Sequence, residues 1–490
     1  MVDSVLRMKE IDSVIRQGPY QDNWASLAAH PVPKWYQEAK FGIFIHWGVY
    51  SVPAFGSEWY PRNMYLPGSP EYQHHIENYG PHQSFGYADF IPLFKAEHFD
   101  AEQWAGLFAA SGARYVVPVA EHHDGFQMYE SSLSDWNAAK MGPQKDVLGL
   151  LKKAVEKRGL ILGTSSHRAE NYWFFNGCRT FDSGLQHIEF QEPYGYASPD
   201  VQPEMTHDVL SAGPCEAHLE NWLLRTCELI DRYQPKLLWF DWWIHNHAFK
   251  PYLKKLAAYY YNRSEQWGEA VAINYKYDAF VFGTAVYDIE RGQLSGISRT
   301  LWQNDTAIAK NSWGYTKNND YKNPSDLICD LVDITSKNGC LLLNIGPQSD
   351  GIICEAEEYA LRHIGAWLAK NGEAIYGTSP WKIFGEGSTQ IEEGSFTDAN
   401  RPSFKPDDIR FTWKAPDLYA IVLRWPADGQ VCIRSLKNQS DVYNGLIRNV
   451  RILGFEDWPV QWRRTDEGLW IDGPKEIKND DPVSLKLELG

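Results

Sequence analysis

Two carboxylates in this 490-residue chain stand at the ends of apolar segments. Asp241 lies within the aromatic run LLWFDWW (237–243), and Glu290 ends the run AVYDIE (285–290). A carboxylate in such surroundings must be paired, desolvated or functional. Pairing is the structural alternative, and Arg291 stands beside Glu290 to provide it. Two carboxyls about 5–5.5 Å apart can cleave a glycosidic bond with retention, one as nucleophile and one as proton donor, so the pair predicts glycosidase chemistry.

Other polar and aromatic residues end further apolar segments, as the mouth of a barrel requires. They are His46, Trp47, Glu121, His122, His123, His167, Trp242, Asn274 and Asp305. Singly, each could be a solvated rim residue or a packed core residue. Together they predict a polar pocket, because loops at the carboxyl ends of barrel strands converge on one mouth. EHHDGF (121–126) lacks the HExxH spacing of a zinc site, so we predict no metal and expect the imidazoles to bind sugar hydroxyls.

Eight short apolar segments predict strands. They cover residues 41–47, 115–121, 160–166, 236–242, 270–274, 285–290, 300–305 and 340–346. Near-continuous apolar runs are typical of parallel strands buried on both faces. Amphipathic segments predict helices between them, at 101–111, 147–159, 218–233 and 324–339, with Gly339 as the stop signal of the last. Eight strands separated by helices or long loops predict an α/β fold, a (β/α)8-type barrel.

The sequence pattern changes near residue 376. A helix predicted over 355–372 closes the barrel, and short strand-like segments separated by turn signals follow it. This pattern predicts an antiparallel β-sandwich. We therefore expect two domains, a catalytic (β/α)8-like barrel over 1–375 and a C-terminal β-sandwich over 376–490. The aperiodic stretch 167–215 is expected to form an active-site loop.

The composition limits the partners of the protein. A net charge of −16 argues against nucleic acid, which binds surfaces rich in Lys and Arg. No apolar stretch of about 18 residues predicts a membrane span, and the first residues lack an apolar signal region, so we expect a cytoplasmic protein. The seven cysteines have no metal-like spacing and are expected to be reduced thiols. The 21 Trp and 27 Tyr fit carbohydrate binding and, equally, the interfaces of a homo-oligomer.

Five of the segments, in this order and spacing, resemble the α-L-fucosidases of glycoside hydrolase family 29. They are WYQEAKFGIFIHWGVYSVPAFGSEWY (35–60), AEHHDGFQMYESSLSDWNA (120–138), LLWFDWW (237–243), SWGY (312–315) and LLLNIGPQSDG (341–351). The resemblance implies a barrel followed by a β-sandwich. It also implies a retaining hydrolase that needs no cofactor and removes terminal α-L-fucose from fucosylated oligosaccharides.

The resemblance also implies roles for individual residues. Asp241 matches the nucleophile, and Glu290, which ends a later strand, is our choice for the acid/base. The side chains expected to bind fucose are His46, Glu58, His122, His123, Trp239 and Trp313, with Trp47, His167 and Lys276 as further pocket residues. Two positions depart from the family pattern. Lys276 stands where many members have Arg, and Gln303 stands where many have the Glu of a WET sequence.

Two alternative functions remain open. A galactosidase-like barrel would use the same carboxylates on a sugar that carries a hydroxymethyl group where fucose carries a methyl group. A non-catalytic sugar-binding protein is the second alternative, and the departures at Lys276 and Gln303 are what favour it. Activity on nitrophenyl α-L-fucoside but not on nitrophenyl β-D-galactoside would distinguish the expected function from both.

Overall fold

The core of the N-terminal domain is a closed barrel of eight parallel strands. The computed structural model of the protein describes residues 4–200, 212–475, 477 and 480–490. The strands lie in chain order around the barrel and are β1 (Phe41–Ile45), β2 (Tyr115–Glu121), β3 (Ile161–Ser166), β4 (Leu237–Phe240), β5 (Ala272–Tyr275), β6 (Val286–Glu290), β7 (Trp302–Ala307) and β8 (Gly339–Ile345). β1 closes the ring by pairing with β8, Phe44 opposite Asn344. The predicted (β/α)8-type barrel is confirmed.

Alternate residues of each strand point into the barrel and out towards the helices. In β1, Phe44 belongs to the interior cluster that also contains Trp239 of β4. Ile43 and Ile45 instead pack in the outer cluster beneath the helices.

In β5, β6 and β7 the same alternation continues to the carboxyl end, so it brings Lys276, Glu290 and Asp305 to the mouth. In β2 a register shift between Val119 and Glu121 interrupts it, and the adjacent His122 and His123 both reach the mouth.

A hydrogen-bonded polar layer crosses the barrel interior. The Tyr36 hydroxyl donates to Gln303 Oε1 at 2.6 Å, and the Tyr115 hydroxyl lies 3.0 Å from the same oxygen. Asn274 Nδ2 donates to the Tyr36 hydroxyl at 3.0 Å, and Gln303 Nε2 donates to Asp288 Oδ2 at 2.6 Å. Because its donors meet acceptors, this layer forms a rigid floor, and Gln303 is part of it.

Helices precede, connect and follow the strands. They are α1 (Ser4–Gln17), α2 (Trp24–Leu27), α3 (Lys34–Ala39), α4 (Tyr60–Asn63), α5 (Pro70–Tyr79), α6 (Ala101–Ala110), α7 (Val147–Lys157), α8 (Asn171–Phe174), α9 (Glu216–Tyr233), α10 (Lys250–Trp267), α11 (Pro324–Ser336) and α12 (Glu355–Asn371). The predicted stop of α11 at Gly339 is wrong. Asn338 takes the left-handed φ of 71° just after the helix, and Gly339 already belongs to β8. Across the described residues, no helix is long and apolar enough to cross a membrane.

The stretch predicted as an active-site loop, 167–215, follows β3. It contains α8 and two short 3-10 helices, Arg168–Glu170 and Asn176–Arg179. Its residues 201–211 lie outside the described part of the chain.

A loop of the C-terminal domain bonds to the carboxyl end of β6. The segments between β5 and β6 and between β6 and β7 are fully described and contain no helix. The backbone N–H of Phe396 donates to the carbonyl of Glu290 at 2.8 Å, and that of Asp398 donates to the carbonyl of Arg291 at 3.0 Å. Asp398 is held in turn by Lys322 Nζ at 2.5 Å. The two domains therefore meet at the end of β6.

The C-terminal domain contains two antiparallel sheets over one apolar cluster, as predicted. Its strands are β9 (Ser379–Glu386), β10 (Ile409–Lys414), β11 (Asp417–Val422), β12 (Gln430–Ile433), β13 (Ile447–Ile452), β14 (Gln461–Arg464), β15 (Leu469–Asp472) and β16 (Val483–Leu489). The order is β13-β16-β11-β10-β9 in one sheet and β12-β15-β14 in the other. The predicted domain boundary at 375/376 falls between the short 3-10 helix Gly372–Ala374 and β9.

Candidate active site

A polar pocket opens at the carboxyl ends of the barrel strands. Its lining is His46, Glu58, Trp59, His122, His123, His167, Trp239, Asp241, Trp242, Trp243, Lys276, Glu290, Asp305 and Trp313. The alternation of the strands aims several of these residues inward, since each lies two positions beyond an interior residue of the same strand. Asp241 follows Trp239 in this way, Lys276 follows Asn274, and Asp305 follows Gln303.

Asp241 leaves β4 and is fixed on both of its oxygens. Oδ1 accepts the backbone N–H of Trp242 at 2.8 Å. Oδ2 lies 3.1 Å from His167 Nδ1 and 3.5 Å from His123 Nε2. The side chain is 12% exposed, so the carboxylate stays accessible from the pocket while its orientation is set. A carboxylate held in this way can act as a nucleophile towards a ligand bound in the pocket.

His123 and His167 are themselves oriented by neighbouring groups. His123 Nδ1 lies 3.0 Å from Glu170 Oε2, and His167 Nε2 lies 3.0 Å from Ser165 Oγ. Burial lowers the pKa of His123 to about 3, although the charge of Asp241 works in the opposite direction. Burial, assisted by the charge of Lys276, also holds the pKa of His167 well below its usual value. Both rings are therefore neutral at pH 7. His167 accepts the Ser165 hydroxyl at Nε2 and can donate its Nδ1 proton to Asp241. The single proton of His123 faces Glu170 and the carbonyl of His167, so His123 packs beside Asp241 without donating to it.

His46 presents a defined nitrogen to the pocket. Asn344 Oδ1 accepts the backbone N–H of His46 at 3.1 Å, which identifies that atom as the amide oxygen. The same oxygen lies 2.7 Å from His46 Nδ1, so Nδ1 must carry a proton. Burial and the neighbouring His167 hold the pKa of His46 well below its usual value. The neutral ring therefore offers an Nε2 that can accept a hydrogen bond.

Glu58 is fixed by a loop that follows β7. Its Oε2 accepts the Ser312 hydroxyl at 2.9 Å, the Trp313 backbone N–H at 2.8 Å and the Gly314 backbone N–H at 3.3 Å. The carbonyl of Trp313 accepts the side-chain amide of Asn344 at 2.7 Å. The loop thus positions Glu58 and the Trp313 ring together on one wall of the pocket.

Two buried side chains offer hydrogen-bonding atoms without protein partners. Among the described residues, His122 Nδ1 and Trp239 Nε1 are buried and make no hydrogen bond. Burial, followed by the neighbouring His123, holds the pKa of His122 well below its usual value, so its ring is neutral. Buried polar atoms are normally paired, so a polar ligand such as a polyhydroxylated sugar would satisfy this pair.

Glu290 ends β6, two strands along the barrel from Asp241, and has a different environment. Its Oε2 accepts a hydrogen bond from Lys276 Nζ at 2.5 Å, and the same ammonium lies 3.2 Å from Asp305 Oδ2. Burial raises the pKa of Glu290 to about 7; Lys276 opposes this rise, while Asp305 and Asp241 add to it. A carboxyl that is half protonated near neutral pH can give up and recover a proton during a reaction.

The structure brings together ten of the eleven predicted site residues. Trp47 does not belong to the pocket, so its predicted role in sugar binding is wrong. It has the outward parity of Ile45, its ring packs against Phe94 and Trp104, and its indole N–H donates to the carbonyl of Gln348 at 2.7 Å.

Four lining residues had no predicted role in binding. Asp305 and Trp242 each end a predicted strand. Strand alternation could have identified Asp305 as a pocket residue. Trp59 and Trp243 sit in irregular segments, and their rings meet at a centroid distance of 5.7 Å. No periodicity in the sequence marks these two.

A metal ion would compete with hydrogen bonds that the histidines already make. Two sets, His46 with His122 and His167, and His123 with His167 and Asp241, have ligand atoms within 4.8 Å of one another. His46 Nδ1 is already engaged by Asn344, and both nitrogens of His167 contact protein groups. The prediction of a metal-free site stays a prediction.

The barrel and the two carboxyls at its mouth, one fixed and one with a raised pKa, define a glycoside hydrolase. The α-L-fucosidase family model matches residues 8–373, and the model of the α-L-fucosidase C-terminal domain matches residues 403–488. The chain therefore belongs to the α-L-fucosidase family. This confirms the resemblance and, with it, the predicted retaining α-L-fucosidase activity.

Individual α-L-fucosidases are similar to this protein over nearly the whole chain. Human tissue α-L-fucosidase is 32% identical, over 95% of this chain and 90% of that protein. Human plasma α-L-fucosidase is 35% identical, over 93% of this chain and 89% of that protein. The crystal structure of Thermotoga maritima α-fucosidase in complex with fucose is similar with a TM-score of 0.74 and 31% identity. It covers 96% of this chain and all of that one (100%).

The role of Asn344 can be tested directly. Asn344→Leu removes the acceptor that fixes the tautomer of His46, so Nε2 can carry the ring proton and then no longer accepts a hydrogen bond from a ligand hydroxyl. We expect kcat/KM to fall by about 10-fold to 100-fold, as when a buried polar group loses its partner. Asn371→Leu, which removes another buried amide at the end of α12, is the control and should keep kcat/KM. An unchanged kcat/KM in folded Asn344→Leu would contradict the assignment.

Proposed function

We propose that Asp241 is the nucleophile and Glu290 the general acid/base of this α-L-fucosidase. The observation that carries the proposal is the contrast between the two carboxyls. Asp241 is oriented by the neutral imidazole of His167 and a backbone N–H, whereas burial raises the pKa of Glu290 to about 7. Two carboxyls with different environments and different protonation are what a double displacement requires.

We assign the terminal fucosyl unit of the substrate to the pocket. His46 Nε2, His122 and Trp239 would bind the sugar hydroxyls, because each presents a buried polar atom to the cavity. Glu58 would accept a further hydroxyl from its fixed position. The ring of Trp313 gives the C5 methyl group of fucose an apolar wall, which favours fucose over a sugar with a hydroxymethyl group there. The substrate would be a fucosylated oligosaccharide.

The first step forms a covalent glycosyl-enzyme. Asp241 attacks C1 of the fucoside through an oxocarbenium-like transition state while protonated Glu290 gives its proton to the leaving oxygen. As Glu290 becomes charged, Lys276 at 2.5 Å stabilises the new carboxylate. In the second step this carboxylate takes a proton from water, which attacks C1 and releases Asp241. Two inversions at C1 give net retention.

Removing the nucleophile tests the role of Asp241. Asp241→Gly deletes the attacking oxygen, so turnover should be almost completely lost in a folded protein. Azide, which fits the vacated space, should restore part of the activity on nitrophenyl α-L-fucoside and give the β-fucosyl azide, identified by NMR. Asp320→Gly, which removes an exposed carboxylate paired with Lys310, is the control. Near-normal turnover of folded Asp241→Gly would rule out the assignment.

Varying the leaving group tests the role of Glu290. Glu290→Gln should nearly abolish cleavage of fucosylated oligosaccharides, whose alkoxide leaving groups need a proton. Nitrophenyl fucoside should still react in the first step, but the second step lacks its base, so kcat and KM should fall together. Azide needs no base and should rescue this variant as the α-azide. The opposite anomer expected from Asp241→Gly separates the two roles.

The same variant can also disprove the acid/base assignment. An equal loss on oligosaccharides and on nitrophenyl fucoside would mean that Glu290 is not the proton donor. Glu58 would then be the next carboxylate to change. In the wild type, kcat/KM on oligosaccharides should decline as the pH rises through about 7, because Glu290 loses the proton that it must donate.

We also propose that the protein works in a reducing, cytoplasmic compartment and as a homo-oligomer. The seven cysteines are free, and Cys215 is exposed, which suits a reducing environment. Large apolar side chains at the surface, such as Phe282 at 72% exposure, suit an interface between copies. Titration in denaturant without reductant should find all seven thiols, and two or more missing would contradict the compartment. Sedimentation velocity tests the oligomer.

A further inference from the structure

The ammonium of Lys276 is shared between two carboxylates on neighbouring strands. It lies 2.5 Å from Glu290 Oε2 and 3.2 Å from Asp305 Oδ2. β6 and β7 pair Glu290 directly with Asp305, and both follow the inward alternation of their strands. The two carboxylates therefore compete for one positive charge, and whichever gains it is stabilised in its charged form.

Asp305 lies deeper than Glu290 in this arrangement. The Asp305 side chain is 1% exposed and that of Glu290 is 13% exposed. Glu290 is thus the carboxyl that a leaving group can reach, and Asp305 acts on the reaction through Lys276 and through its own charge beside Glu290.

A third carboxyl below them holds a proton. Asp288 is fully enclosed on β6; burial, and then the charge of Asp305, hold its pKa well above the usual value. In the part of the chain that is described, Asp288 Oδ1 and Asp305 Oδ1 both lack a donor. A proton on Asp288 supplies one, because Asp288 then donates to Asp305. Asp288 is consequently neutral, and Asp305 carries the charge that faces Lys276.

We propose that Asp305 is a positioning residue for the acid/base. By neutralising Lys276 it allows Glu290 to keep its proton until the leaving oxygen arrives. Without Asp305 the ammonium would act on Glu290 alone and stabilise its carboxylate before any substrate bound. This inference rests on the proposed role of Glu290.

The charges around Glu290 support this role for Asp305. The titratable groups that act on it are Lys276 and Tyr277 after β5, Asp305 on β7 and Asp241 after β4. Asp288, two residues earlier on β6, lies 3.9 Å from the Lys276 ammonium. The neighbouring Arg291 points away, because its guanidinium lies 4.7 Å from the centroid of the Trp313 ring and 3.7 Å from Asp398. Among the groups near Glu290, Lys276 is the cation that favours its carboxylate, and Asp305 is the carboxylate closest to that cation.

The pH dependence of two variants tests the inference. The measured quantity is kcat/KM on a fucosylated disaccharide, which falls as Glu290 loses its proton. Asp305→Asn should move this alkaline limb to lower pH by about one unit or more, since a neighbouring negative charge is removed. Lys276→Met should move it to higher pH. General damage to the fold would lower activity without shifting the limb in opposite directions.

Asp288→Asn is the matched control. An asparagine reproduces the neutral Asp288, because its oxygen can accept from Gln303 Nε2 and its amide can donate to Asp305. Its limb should therefore stay at the wild-type pH. If Asp288 ionises in Asp305→Asn and replaces the lost charge, the double variant Asp288→Asn/Asp305→Asn removes that compensation and should show the full shift.

Two outcomes would overturn the inference. An unshifted limb in the double variant, or a shift to higher pH in Asp305→Asn, would show that Asp305 does not offset Lys276. The Glu290→Gln protein separates this failure from a wrong acid/base. In Glu290→Gln the limb is read from the slow residual cleavage of the disaccharide. If this residual kcat/KM still falls at the wild-type pH, another group titrates and the proposed role of Glu290 fails. If the limb disappears there while Asp305→Asn leaves it in place, only the role of Asp305 fails.

Discussion

The active site depends on one buried ammonium surrounded by carboxyls. Burial works against the charge of Lys276, but Asp305, Glu290, Asp241 and Asp288 together raise its pKa well above the usual value. One cation cannot balance four ionised carboxylates in a dry cavity, where unpaired charge is costly. Protons must therefore stay on some of the carboxyls. Asp288 keeps one permanently, and Glu290 keeps one that it can donate, which is how a structural constraint becomes a catalytic property.

The histidines contribute by remaining neutral. Protonated imidazoles near Asp241 would stabilise its charge and weaken it as a nucleophile. Burial prevents this, so His167 orients the carboxylate by hydrogen bonding while leaving its charge available. The neutral state also makes His46 an acceptor towards the pocket, because Asn344 already takes the only ring proton. The site thus combines fixed geometry with little positive charge on the side of Asp241.

Much of this could be predicted from the sequence, because each barrel strand is a short apolar run with its polar residues at the carboxyl end. The end residues include Asp241 and Glu290, and the segment around Asp241 is one of the five that carry the family resemblance. The prediction for Trp47 was wrong because its side chain follows the outward direction of Ile45 and packs against Phe94 and Trp104. Strand alternation also explains why Gln303 has no catalytic role. It lies in the polar layer below the mouth, and the inward residue at the mouth is Asp305.

The remaining parts could not be predicted, because they depend on contacts between distant segments. The loop that is hydrogen-bonded to the backbone of Glu290 and Arg291 belongs to the C-terminal domain. These bonds join backbone atoms, which carry no sequence signal. The position of Lys276 between two carboxyls also depends on contacts between distant segments. A lysine presents a compact charge that reaches between Glu290 and Asp305, and its ammonium also lies 4.7 Å from the centroid of the Trp239 ring. A planar arginine in its place would favour paired hydrogen bonds to a single carboxylate. The lysine is therefore suited to divide its charge between two.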